Sequence, residues 1–229
     1  MENMINLVEH IVKGYLLKES LSSVIYHYTL IPNLSSILIS ECFELTDAEK
    51  DNMNYEYQHP TKQFFMSFTR QKHSRLGYAQ ERNVRLTIDG DLLSSNYEAH
   101  PIDYFAHPNP EKSGKIFHNK ISPYMDKFQK NVEAEDRLFS NQRYIKHIER
   151  YIKRIDILVD DYWRLEEENE DGTTNLEYLW HILQNFEEYY PIYVYNNRKD
   201  FDLQNNNTIN DWITEMSYEE VEEYLEQNS

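Results

Sequence analysis

Among 229 residues there is one cysteine, Cys42, and there are five glycines. A lone thiol excludes an intramolecular disulfide and any structural zinc site built from several thiolates, which suits a reducing compartment. None of the glycines falls in a G-x-G-x-x-G or G-x-x-x-x-G-K arrangement, so neither phosphate-cradling loop is present. H-E-x-x-H and G-x-S-x-G are also missing, which removes the zincin and nucleophile-elbow chemistries. His100, Asp103 and His107 sit at no recognised ligand spacing, and no metal is expected. No run approaches the roughly 20 apolar residues of a membrane-spanning helix. The opening M-E-N-M-I-N-L-V-E-H has neither the basic nor the apolar region of a secretory leader, so a cytoplasmic location without membrane contact is expected.

What is plentiful is negative charge, and it is unevenly placed. The net charge is -17; residues 161–229 hold 18 acidic and 3 basic side chains, against 22 and 20 in residues 1–160. Such a segment repels a phosphate backbone, and its ordinary role is a solvated surface. A length of 229 residues suits one domain with one core.

Periodicity sets the order of elements. Ile5, Val8, Val12 and Tyr15 make an amphipathic stripe over 3–18. The run S-S-V-I-Y-H-Y-T is β-branched and aromatic, as a strand requires, and gives way to a short helix in I-P-N-L-S-S-I-L-I-S with Pro32 in its first turn. Residues 47–62 read as a long surface loop. Q-F-F-M-S-F-T and N-V-R-L-T-I-D are strands, the second ended by a turn in D-G-D-L-L. Prolines 101, 108 and 110 predict irregular structure over 96–120, followed by a helix over 121–131. A-E-D-R-L-F-S, R-I-D-I-L-V and P-I-Y-V-Y are further strands. Leu176, Leu179, Trp180, Leu183 and Phe186 mark a helix, and Ser217 with Glu220 forms a capping-box pattern before a last acidic helix. Helices and strands mix without β-α-β alternation, which predicts an α+β fold.

Polar clusters on strands are the functional clue, since an apolar residue would pack there more cheaply. They are Y-H-Y-T at 26–29, S-F-T-R at 67–70 and E-A-E-D-R at 133–137. Side chains two apart share a face, which aligns Tyr26 with Tyr28, His27 with Thr29, Ser67 with Thr69, and Glu133 with Glu135. Taken singly, His27 is an ordinary core or surface histidine, Arg70 a strand-end charge, and Glu135-Asp136-Arg137 an ion-paired face. Occurring jointly, they suggest a site.

In this order the motifs resemble those of the ADP-ribosyltransferase superfamily, in particular bacterial and phage-type members with a first-strand H-[YF]-T followed by x-N-L-x-x-I-L. Here that reads Y-H-Y-T-L-I-P-N-L-S-S-I-L, and the E-A-E of 133–135 looks like the E-x-E of the late strand. The resemblance spans about residues 24–160. It implies a split mixed sheet gripping NAD as substrate, with surrounding helices, a core over 1–160 and an acidic helical extension over 161–229 on the same domain. It further implies that Glu135 holds the nicotinamide ribose and stabilises an oxocarbenium ion, and that Glu133 faces a macromolecular acceptor, protein or nucleic acid. Which of Glu133, Glu135 and Asp136 is catalytic stays open. His27 would serve ribose hydroxyls and catalysis; Tyr28, Thr29, Ser67 and Thr69 would line the ligand; Arg70, with Arg85 and Arg75 behind it, would meet the pyrophosphate. The chain pairs a first-strand His with S-F-T-R, a departure from the usual combinations. Two other classes compete: a nucleotide-binding protein without turnover, and an acidic interaction protein that imitates nucleic acid.

Overall fold

The computed structural model describes residues 21–48, 61–72, 81–101, 135–160, 162–210 and 217–228. The expected helices over 3–18 and 121–131, most of the loop and proline-rich stretches, Arg75 and Glu133 lie outside them.

The fold is α+β, built on one mixed sheet. Strands β1 (Val24–Thr29), β4 (Phe64–Thr69), β5 (Val84–Asp89), β6 (Glu98–Pro101), β7 (Glu135–Ser140), β9 (Ile152–Leu158) and β10 (Ile192–Tyr195) run in the order β10-β9-β5-β1-β4-β7-β6. A short β3 (Thr46–Asp47) pairs with β4 and ends on the first residue of the stretch expected to be a loop. β2 (Cys42–Glu44) and β8 (Tyr144–Lys146) form a separate two-stranded sheet. All pairings are antiparallel except β9 with β10.

Alternation explains which face is buried. Ile25, Met66, Phe68, Leu86, Ile88 and Leu138 leave their strands on one side and are each at most 6% exposed. Helix α1 (Ile31–Ser40) buries Ile31, Leu34, Ser35 and Leu38, the i, i+3, i+4, i+7 stripe that a half-buried helix needs. Each such leucine contributes about 1.5–3 kcal/mol on burial. α1 packs against α4 (Asn175–Phe186), which begins with a capping box between Thr174 and Glu177.

Where a turn was expected after β5, the chain instead forms a helix, α2 (Gly90–Asn96). Asp89 is the reason: its carboxylate accepts the Leu92 N–H at 2.9 Å, an N-cap that converts the turn chemistry into a helix start. Gly90 is needed there for a second reason. A Cβ at that position would lie 1.8 Å from the Ser22 carbonyl oxygen, so only glycine lets the helix begin against the entry to β1.

The acidic third is part of the same architecture. It supplies β10 to the sheet, α3 (Tyr162–Leu165), α4 and α5 (Arg198–Leu203), and α6 (Tyr218–Asn228), whose Val221 and Leu225 enter the core. The Ser217–Glu220 box caps α6, with the Ser217 N–H donating to Glu220 at 2.8 Å. Glu219, Glu220, Glu222, Glu223 and Glu226 are exposed, the charged face of that helix. Among the described residues no helix is long and apolar enough to cross a membrane.

Candidate active site

The three polar clusters come from β1, β4 and β7, which are neighbours in the sheet. The ladders on either side differ sharply from the one between. Six pairs register β1 on β5 and six register β4 on β7, but β1 and β4 register only at Tyr26 and Thr69. A sheet joined by one pair is open at that seam, and the motifs flank it.

Antiparallel partners share a face, so Glu135, Thr69, Tyr26, Thr87 and Arg154 form one row across five strands. Ser67, Arg137, Tyr28, Arg85 and Asp156 occupy the same face one step along. This is the face opposite the main core, and polar side chains dominate it.

Glu135 is held from two sides on that face. Ser67 Oγ donates to its Oε1 at 2.7 Å, and Arg137 Nε donates to the same oxygen at 2.6 Å. The Glu135 and Arg137 side chains are 13% and 6% exposed, and the Arg137 guanidinium lies 4.7 Å over the Phe65 ring. A carboxylate fixed this way is oriented before any ligand arrives.

His27 is the next residue after the row and leaves β1 from the other face, so it does not share a face with Glu135. The two are joined through one residue. His27 Nδ1 donates to the Ser67 carbonyl at 3.2 Å across the seam, while the Ser67 hydroxyl serves Glu135. Burial holds the His27 pKa below its ordinary value, the Ser67 carbonyl opposing and the Arg82 charge assisting. A neutral ring that donates from Nδ1 keeps an acceptor at Nε2, the form that receives a sugar hydroxyl.

Arg70 follows β4 at the end of the seam. Its guanidinium bonds the Asp136 carboxylate and the Glu135 carbonyl, the latter at 3.1 Å, with 23% of the side chain exposed. Asp136 lies on the core face and is fully buried; its other oxygen accepts the Ser22 N–H at 3.0 Å. Burial pushes the Asp136 carboxyl up, against the lowering pull of Arg70 and the Ser22 N–H.

The remaining expected ligands divide. Thr69 is 3% exposed and its hydroxyl accepts the Gln71 N–H at 3.1 Å, while Thr29 is 5% exposed at the end of β1. Tyr28 reaches over the same face and donates to the Lys72 carbonyl.

Arg85, expected behind Arg70 at the pyrophosphate, is buried with its guanidinium engaged by the surrounding framework. It is 0% exposed; Nε and Nη2 bond Asp156 at 3.2 and 3.1 Å, Nη1 bonds the Lys72 carbonyl at 2.9 Å, and Nη2 also bonds the Phe201 carbonyl at 2.5 Å. Its guanidinium lies 4.3 Å from the Phe201 ring centre. Asp156 collects Arg154, Gln204 and Tyr195 as well, and burial followed by the Asp156 charge pushes the Tyr195 hydroxyl up to about 12.

Sequence reasoning passed over Tyr26, Thr87, Arg137 and Arg154 as candidates. Tyr26 stood in the Y-H-Y-T motif, but its place beside Thr69 is a register fact that no local pattern carries. A cavity of about 340 Å³ lined by Ser40, Glu41, Cys42, Tyr144, Lys146 and His147 lies beside β2 and β8, away from these motifs. Among the described residues no group of three or more His, Cys, Asp or Glu side chains is arranged to hold a metal ion.

No family model matches the sequence, and no curated protein matches it. A solved structure, Thermus sp. 2.9 DarT in complex with NAD+, is similar with a TM-score of 0.43 at 14% identity, over 76% of this chain and 96% of that chain.

Proposed function

We propose that the chain is an ADP-ribosyltransferase that cleaves NAD and passes ADP-ribose to a macromolecular acceptor, a protein side chain or a nucleic-acid base. The observation that carries this reading is the meeting of Y-H-Y-T, S-F-T-R and E-D-R along a seam with one ladder pair, where Glu135 is already braced by Ser67 and Arg137.

The chemistry asks for what that seam offers. As the C1'–N bond breaks, its electron pair leaves with nicotinamide and positive charge builds on the ribose. The acceptor nucleophile then bonds C1' and gives up its proton. A fixed carboxylate beside the ribose stabilises the developing cation, and Glu135 is assigned that part. Tyr26, in the same row, is assigned to the nicotinamide side with Tyr28; Arg70 takes the pyrophosphate, where a planar guanidinium matches two oxygens. His27 Nε2 accepts from a ribose hydroxyl at the seam. Thr29, Ser67 and Thr69 shape the lining, and Glu133 faces the acceptor. Residues 1–160 supply the site, and 161–229 cover and brace the same domain.

Calorimetry with NAD, coupled to an assay for released nicotinamide, tests this. The wild-type protein is expected to bind and release, and Glu135→Gln to bind while release falls by on the order of 10²–10³. No heat at millimolar NAD would sink the reading; unchanged release in Glu135→Gln would remove that residue from its role.

A second reading rests on the Glu135–Arg137 ion pair. With its charge neutralised at 2.6 Å, the carboxylate suits a nucleotide-binding cleft that holds its ligand without turnover. Tight NAD retention with no nicotinamide release is the outcome that favours it.

A further inference from the structure

We propose that Asp136 is a positioning residue that sets the Arg70 guanidinium beside Glu135 and fastens the open end of the β1–β4 seam. This rests on the ADP-ribosyltransferase reading for what Arg70 then does, and on the geometry alone for how Arg70 is held.

Three observations converge. Asp136 follows Glu135 but leaves β7 on the opposite face, opposite Phe68, and its side chain is 0% exposed. A carboxylate with no exposed surface cannot touch ribose, which separates it from the neighbouring Glu135. Both of its oxygens are engaged, and with groups from two other segments: Oδ1 takes the Arg70 guanidinium, and Oδ2 takes the Ser22 N–H at 3.0 Å just before β1. Arg70 in turn donates to the Glu135 carbonyl at 3.1 Å from the same nitrogen. One buried carboxylate thus joins the entry to β1, the end of β4 and the start of β7, where backbone pairing between β1 and β4 is limited to Tyr26 and Thr69.

The physical consequence is preorganisation. An arginine at a strand end ordinarily samples many rotamers, and ordering it costs side-chain entropy. Asp136 takes that cost in folding rather than in ligand binding. The buried charge it requires is itself unfavourable, and burial drives its carboxyl up despite Arg70. A bland buried leucine at 136 would pack more cheaply and leave Arg70 loose.

Two measurements on the full chain test this. In wild-type protein, guanidinium nitrogen NMR is expected to show Arg70, identified by its loss in Arg70→Lys, as a resolved signal with slow rotation. A rotationally averaged Arg70 signal overturns the proposal without reference to NAD. For Asp136→Asn, which keeps the shape and an acceptor for Ser22, cooperative unfolding should persist while NAD affinity falls about tenfold, as loss of one charge-assisted anchor predicts. Arg70→Lys should weaken NAD comparably, and the double variant should be no weaker than the worse single one, since both changes remove one function. Additive losses in the double variant would mean that Asp136 acts on general stability and overturn the role. If wild type neither binds nor cleaves NAD, the transferase reading falls, and the Arg70 signal alone then decides whether Asp136 holds that guanidinium in place. If wild type binds and Asp136→Asn matches it, the positioning role alone falls.

Discussion

The two halves of the sheet's polar face use the same residue types to opposite ends. On the β5–β9 side, Arg85 and Asp156 are both 0% exposed, and α5 closes over them through the Phe201 carbonyl and ring. On the β4–β7 side, Glu135 is 13% exposed in its pair with Arg137, and just past the end of β4 Arg70 is 23% exposed, at a seam where the backbone ladder nearly stops. An arginine wrapped on every side holds a fold together, and its attraction is spent internally. One left partly open at a break in the sheet keeps a direction in which to act. The difference lies in what covers the pair.

The comparison breaks most visibly if Asp156 is removed. Asp156→Ala strands the buried Arg85 guanidinium and withdraws the partner of Arg154, Tyr195 and Gln204. Loss of one member of a buried pair costs about 3–5 kcal/mol, which urea unfolding should read as a shift in midpoint at constant slope. Glu135→Gln, the matching change on the open side, should stay within about 1 kcal/mol of wild type because the amide keeps the Ser67 bond. Equal losses in the two variants would mean that the two pairs do the same structural work.

A smaller loss is expected at Gly90, which couples the two halves at the entry to β1. The methyl group of Gly90→Ala meets the Ser22 carbonyl at 1.8 Å, a backbone atom that cannot rotate away. Either α2 or the Ser22–Ser23 segment must shift, at about 1–3 kcal/mol. Because Ser22 also donates to Asp136, the shift should reach the seam: NAD binding is expected to weaken in this variant even though Gly90 touches no ligand. Stability at the wild-type level in Gly90→Ala would show that the segment gives way freely.

What the sequence announced was what is local. V-I-Y-H-Y-T, F-F-M-S-F-T and E-D-R-L-F-S each carry strand composition within six residues, so β1, β4 and β7 were legible, as was the Leu176–Leu183 stripe of α4. Which strands adjoin was not, since pairing Thr69 with Glu135 spans a segment with no local signature of the contact. Arg85 shows the limit. A strand arginine reads the same from its neighbours whether it is open or enclosed, and what encloses this one is Phe201, 116 residues away, on a six-residue helix too short to announce itself by period. Asp136 was one of three acidic candidates for the same reason: only alternation against a known register sends Glu135 to one face and Asp136 to the other.

The smallest effect belongs to His27 and sharpens the contrast by pH. Its folded pKa lies below the unfolded value of about 6.5, chiefly through burial. Between those two values the unfolded chain binds a proton that the folded chain refuses, so stability is complete at higher pH and declines as pH falls below about 6.5. The slope from one such group is at most about 1.4 kcal/mol per pH unit. His27→Gln keeps a donor for the Ser67 carbonyl but does not titrate, so its unfolding free energy should fall less between pH 7 and about 5 than that of wild type. Urea unfolding of the two proteins across that interval reads the difference. Parallel curves would mean that the imidazole is as hydrated when folded as when unfolded.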